Sequence, residues 1–196
     1  MRKAVLMAAL AMTGCASTPP VFPTEVTRFR VDDVPRGTIS IAPEDGLSDG
    51  PAFQTYAGAV GDALTAQGYT VVPSGSDAVF VARIGFASDT RSVRGPAPFT
   101  LGLGVGGGSY GRGGGVDAGV SGGIPIGKRE LRDDIAATLS VRINRRDGDL
   151  GVWEGKAQTR LIRRTGTGEA DAMPAKLAKA LFTGFPGESG RTITVK

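Results

Sequence analysis

Histidine is absent from this chain of 196 residues, and cysteine occurs once. Without an imidazole, a serine nucleophile lacks its usual general base. With one cysteine, a disulfide within the chain is impossible, and the lone thiol needs another explanation. A large excess of one sign of charge is lacking too. The formal net charge is +4, but Arg2 and Lys3 sit in the leading segment and leave 21 basic against 19 acidic side chains. A nearly neutral body requires no anionic partner, so no nucleic-acid partner is expected. Nor does the chain contain the run of about 20 apolar residues that a membrane-spanning helix needs. What it has in excess is glycine, 31 residues, roughly twice the average share of about 7%. The length suits one domain with a real core and is short for two.

The single cysteine stands at the end of a recognisable address. Met1-Arg2-Lys3 is a short positive region, Ala4 to Met12 an apolar stretch of signal-peptide length, and Thr13-Gly14-Cys15 small residues before the cysteine. The run Met12-Thr13-Gly14-Cys15 resembles the lipobox of bacterial lipoproteins, with methionine where leucine is commoner. The resemblance implies that the Cys15 sulfur receives a diacylglycerol, that the chain is cut before it, and that the new amino group is acylated. Several acyl chains anchor stably, since each buried methylene contributes roughly 0.8 kcal/mol. Ala16 stands where aspartate would signal inner-membrane retention, which implies the periplasmic face of the outer membrane. The alternative is an ordinary signal peptide cut near Ala16, with Cys15 discarded.

Residues 1–14 are therefore expected to be the signal, and 15–24 the lipidated cysteine with a proline-rich tether, extended at about 3.1 Å per residue. Residues 25–196 are expected to form one domain. Glu25 to Val31 and Thr38 to Ala42 read as two strands about the turn residues 32–37, a hairpin. Pro51 opens a helix in which Phe53, Tyr56, Ala57, Val60, Ala63 and Leu64 recur at steps of three and four, with Gly68 past its end. Tyr69 to Val72 is a short strand. Ala78, Phe80, Ala82, Ile84 and Phe86 alternate along a longer one, their side chains facing the helix.

Between 102 and 127 half the residues are glycine, a density that no helix survives without a packing reason. Leu101, Leu103 and Val105, then Val116, Ala118 and Val120, still alternate, which predicts a glycine-rich ribbon with a mobile tip at 109–114. Residues 129–144 and 150–164 form a long hairpin about Arg145-Arg146-Asp147-Gly148-Asp149. A second helix spans Ala172 to Thr183, with Met173, Leu177, Ala180 and Leu181 on one face, Pro174 in its first turn, and Gly184 and Pro186 stopping it. Thr192 to Val195 adds an edge strand. The order predicts an α+β fold: a two-layer sandwich, its largely antiparallel sheet carrying two helices on one face, with the ribbon inserted mid-chain at 102–127.

Ile39-Ser40-Ile41-Ala42-Pro43, Leu64-Thr65-Ala66-Gln67-Gly68-Tyr69 and Ser76-Asp77-Ala78-Val79-Phe80-Val81 are followed by the glycine-rich middle and the strand Thr138 to Ile143. Val152-Trp153-Glu154-Gly155-Lys156-Ala157 and a closing helix before Gly184-Phe185-Pro186 complete the series. In this order the chain resembles the bacterial lipoproteins of domain of unknown function family 4136, over nearly the whole length after the signal. That family carries no known catalytic residues, so the resemblance assigns none here.

Several patterns that suggest chemistry have plainer explanations. Gly119-Val120-Ser121-Gly122-Gly123 matches the Gly-x-Ser-x-Gly nucleophile elbow, but the residues after it do not open a helix, and only a Ser121 and Lys128 dyad would remain. Gly102-Leu103-Gly104-Val105-Gly106-Gly107 matches a dinucleotide fingerprint without its strand and helix context. Glycines 107, 111, 115, 119, 123 and 127 fall four apart, like the small-residue seam of packed membrane helices, yet Arg112, Asp117 and Pro125 interrupt them. Asp133 and Asp134, as strand neighbours, face opposite ways, cannot pair as acid and base, and read as surface charge. Asp32, Asp33, Glu44 and Asp45 lie in turns, and no ligand set has metal spacing. Arg145, Arg146, Arg160, Arg163 and Arg164 give the long hairpin a basic character that would suit anionic lipid or glycan, or simply a solvated face.

The expectation is a non-enzymatic envelope lipoprotein without cofactor or metal. It is held by its lipid anchor at the outer membrane, and its ribbon is offered to an envelope protein partner. The alternative is a periplasmic binding module for a small envelope ligand, a glycan or lipid, seated between sheet and helices. A lipid-anchored hydrolase is disfavoured by the missing histidine.

Overall fold

The computed structural model describes residues 22–95, 99–102, 123–126, 130–164 and 172–196. The signal, Cys15, most of the tether, Ser121, Lys128 and the middle of the ribbon, 103–122, lie outside these residues.

The chain forms an α+β fold, an open seven-stranded sheet with two helices. In chain order come β1 (Thr24–Arg30), β2 (Thr38–Pro43), α1 (Pro51–Ala66), β3 (Thr70–Val72) and β4 (Phe80–Arg94). They are followed by β5 (Phe99–Gly102), β6 (Gly123–Ile126), β7 (Leu131–Arg145), β8 (Gly151–Arg164), α2 (Met173–Phe182) and β9 (Thr192–Val195). The sheet order is β3-β2-β4-β7-β8-β1-β9, and β5 and β6 pair antiparallel as a separate ladder.

The hairpin expected between β1 and β2 does not form. β1 lies between β8 and β9, antiparallel to both, while β2 runs parallel to β3 and β4 on the far side of the sheet. Turn residues mark where a chain bends, not where the next strand pairs, and the link 31–37 is long for a tight hairpin. The parallel pair β2 and β3 is joined through α1, the crossover that parallel neighbours require.

α1 begins with Pro51 at its first turn and is followed by Gly68 at φ +90°. Phe53, Tyr56, Val60 and Leu64 are its buried stripe. They join Phe80, Ala82 and Ile84 of β4, Leu139, Val141 and Ile143 of β7, and Leu177, Ala178 and Leu181 of α2 in one core. Each large aliphatic buried there contributes about 1.5–3 kcal/mol. The alternation read in β4 is therefore the core-facing set, and Phe86 at its end stacks on Tyr56 with ring centres 4.3 Å apart.

β7 and β8 form the expected long hairpin. Gly148 (φ +82°) and Asp149 (φ +51°) turn it, and Leu139, Val141 and Ile143 pair with Ala157, Gly155 and Trp153. The pairing of β4 with β2 stops at Ile84 and that of β8 with β1 at Gln158, but β4, β7 and β8 continue together to Arg94, Leu131 and Arg164. These three strands thus project past their neighbours as an arm.

Candidate functional site

Trp153 anchors one end of the molecule. It is 1% exposed, stacks on Phe182 with centres 5.3 Å apart, and lies 5.1 Å from Phe185. Its indole N–H donates to the Pro186 carbonyl at 2.9 Å. Gly155, two residues along the same face of β8, makes room for the ring. A Cβ there would fall 2.4 Å from the indole and 2.8 Å from Leu181. Tryptophan followed two residues later by glycine, and the closing Gly184-Phe185-Pro186, are two halves of one packing arrangement.

Three arginines near the start of the domain surround this cluster, and all are directed at backbone oxygen. Arg28 is buried and donates to the carbonyls of Leu181 at 2.9 Å, Ala180 at 3.2 Å and Thr183 at 2.7 Å, closing the end of α2. Burial lowers its pKa from the ordinary value. Arg30 donates to the carbonyls of Gly187, Val31 and Asp32. Arg36 lies over the rings of Phe185 and Tyr69, 4.7 and 5.2 Å from their centres, and bonds the carbonyls of Gln67 and Val34. Donors engaged in this way hold loops together rather than await an anion.

Tyr69 is buried, its hydroxyl donating to the Pro35 carbonyl at 3.0 Å. Burial raises its pKa above the ordinary 10.0, against the opposing pull of Arg36. A raised folded pKa gives stability that is complete below the unfolded value and is lost as pH climbs through the folded one. Tyr69→Phe will therefore cost about 1 kcal/mol at neutral pH, the value of a hydrogen bond, and the gap to wild type will close above pH 10. Urea titrations of both proteins from pH 7 to 11 check this; a gap constant with pH would contradict it.

The acidic pairs separate as strand geometry requires. Asp134 pairs with Arg160 across to β8, and the hydrogen bond from that guanidinium holds its carboxyl below the usual range. Asp133 points the other way. It is only 7% exposed, near Ser92 at 3.5 Å and Arg163 at 3.8 Å, so it is buried charge and not the surface charge expected. Glu44 and Asp45 do occupy a turn, with Asp45 3.7 Å from Arg83. The five hairpin arginines form no single patch. Arg145 and Arg146 are at one end and Arg160, Arg163 and Arg164 at the other, on strands about 45 Å long. Among the described residues, no group of three or more acidic or cysteine side chains is placed to hold a metal.

Shallow grooves remain. One of about 240 Å³ lies between the ends of β1 and β8, walled by Phe29, Val31 and Val152, with Arg142 and Glu154 3.4 Å apart beside it. A second, about 160 Å³, sits between α1 and the strand edge at Ile41, Phe53 and Val72. A third, about 360 Å³, lies among Asp77, Val79, Arg145 and Asp147. The first has the most apolar walls but draws on residues more than a hundred positions apart, so no local motif announces it.

No family model matches the chain. An uncharacterized protein of Zymomonas mobilis is 34% identical over 82 residues, 41% of this chain, and the match spans 30% of that protein's length. Among solved structures, a PDZ domain protein from Parabacteroides distasonis aligns with a TM-score of 0.48 and 11% identity, over 88% of this chain and 39% of its own. PelC of Paraburkholderia phytofirmans, crystallised as a dodecamer, aligns with a TM-score of 0.43 and 11% identity, over 82% of this chain and 95% of its own.

Proposed function

We propose that the chain is a non-enzymatic envelope lipoprotein of the domain of unknown function family 4136 kind. In this reading acylated Cys15 holds the domain at the periplasmic face of the outer membrane, as an accessory interaction module. Its body is a two-layer sandwich with both helices on one face, and the glycine-rich ribbon is the part presented to a protein partner. The observation that carries the reading is the chain's one cysteine, closing Met12-Thr13-Gly14-Cys15 nine residues before β1. Arg28, Arg30 and Arg36 agree with it, because they are engaged with carbonyls instead of facing a substrate.

The test is Cys15→Ala, expressed from the full reading frame. Wild type is expected to take up labelled palmitate and sediment with membranes, and the variant to do neither. A variant still fully in the membrane fraction would overturn the proposal.

The groove of Phe29, Val31 and Val152 favours a second reading, a binding module for a small envelope lipid or glycan. A ligand mass retained through native purification and lost in Val31→Asp would support it.

A further inference from the structure

We infer that the tip of the β4-β7-β8 arm, Val93–Gly95 with Glu130–Arg132, is the part of the seven-stranded sheet that meets the lipid surface. This rests on the reading of Cys15 as the anchor. Six residues, and so seven Cα-to-Cα steps, separate Cys15 from Phe22, and the anchor lies at most about 25 Å from Phe22. That point is fixed to the body. The Phe22 carbonyl accepts from the Lys176 ammonium at 3.0 Å, and the Pro23 carbonyl from the Thr159 hydroxyl at 3.3 Å.

β1 runs antiparallel to β8, so the chain that precedes Thr24 continues in the direction in which β8 leaves the sheet, toward the arm. From the level of Thr159, which pairs with Ala137, the arm reaches Leu131 after six residues, about 20 Å on. The opposite end, the turn at Asp147, lies roughly 30 Å the other way. A membrane touching that turn would be out of the tether's reach. A membrane touching the arm tip is within it.

The tip is suited to an interface. Leu131 is 56% exposed and Val93 36%, two of the large apolar side chains left open to solvent, and each stands opposite an arginine, Arg94 and Arg132 respectively. Apolar side chains beside guanidinium groups are what an interfacial contact with anionic headgroups uses. The chain leaves for the glycine-rich insert at this same tip and returns there, where the Gly95 N–H donates to the Glu130 carbonyl at 2.8 Å.

The experiment uses the full lipidated chain in vesicles of phosphatidylethanolamine and phosphatidylglycerol. Because acylation consumes the Cys15 sulfur, an introduced cysteine is the one free thiol. Val93→Cys and Arg94→Cys report the tip, Asp147→Cys the far turn, and Lys156→Cys the middle of the sheet, each carrying a polarity-sensitive fluorophore. Quenching by spin-labelled lipid is expected to be several-fold stronger at both tip positions than at Asp147 and Lys156. Equal quenching at the tip and the far turn would overturn the inference, as would dominant quenching at Lys156, the mark of a protein lying on its sheet. Intact mass distinguishes the premise: without the acyl mass on Cys15 the anchor reading fails, whereas acylation with an unquenched tip refutes only the orientation.

Discussion

Trp153→Ala is expected to cost the protein about 4–5 kcal/mol of stability, the upper range for truncating a buried aromatic side chain. The indole is fully enclosed, and its removal affects four neighbours at once. Phe182 and Phe185 lose the ring they pack on, and Gly155 and Leu181 are left lining a void. The cavity cannot collapse easily, because β8 is fixed by β7 on one side and β1 on the other. The Pro186 carbonyl also loses its donor, about 1 kcal/mol more if it stays dry. Against a typical total of about 5–15 kcal/mol, this leaves a marginal fold. Trp153→Phe keeps the stack and loses the hydrogen bond, and is expected to cost about 1–2 kcal/mol. Urea titration followed by circular dichroism measures both variants, since Trp153 is the chain's one tryptophan and its fluorescence disappears with it. A loss under about 2 kcal/mol for the alanine variant would mean that the closing loop repacks, and that the aromatic cluster does not hold the end of α2.

The elements visible in the sequence are those whose signal is local. α1 and α2 show apolar residues at steps of three and four with proline at the start and glycine past the end. β7 and β8 frame an Asp-Gly turn, and the alternation from Ala78 to Phe86 marks the buried face of β4. Pairing between distant strands has no such signal, which is why β1 was expected beside β2 and lies beside β8. In β1 Val26 faces the core, but the apolar residues at and just past its end point the wrong way. Phe29 and Val31 are 55% and 45% exposed, while Arg28 is buried among the core residues. Hydropathy places an arginine outside; it does not register that the end of the helix packed against β1 needs donors. The same holds for Asp133, whose burial comes from Arg163 and Ser92 on neighbouring strands. The proposed anchor at Cys15 rests on a contiguous run, Met12-Thr13-Gly14-Cys15, and a contiguous run is what a sequence displays in full. The groove at Phe29 and Val152 was not legible, because it exists only once the sheet has assembled.

Arg28→Met tests the helix-end account directly, with an expected loss of about 3 kcal/mol. Methionine replaces the aliphatic stem with little change in volume, so the experiment isolates the guanidinium. The last carbonyls of any helix lack intrahelical partners. Here those of Leu181 and Thr183, together with that of Ala180, which also accepts from the Thr183 N–H at 3.3 Å, converge on one charged fork, whose charge also suits the negative end of the helix. A buried charge is often replaceable by an apolar group when both partners can be removed together. That escape is closed at Arg28, because its partners are backbone and stay. Arg28→Lys keeps the charge but cannot span three oxygens, and is expected to recover about half of the loss. Amide exchange in the last turn of α2 supplies the second readout. It should accelerate in Arg28→Met well beyond the global change, since the helix end frays before the sheet opens. Exchange that follows global stability alone would mean that the carbonyls find water at no cost. Gly187 packs directly on the same side chain, where a Cβ would fall 2.7 Å from an Arg28 nitrogen.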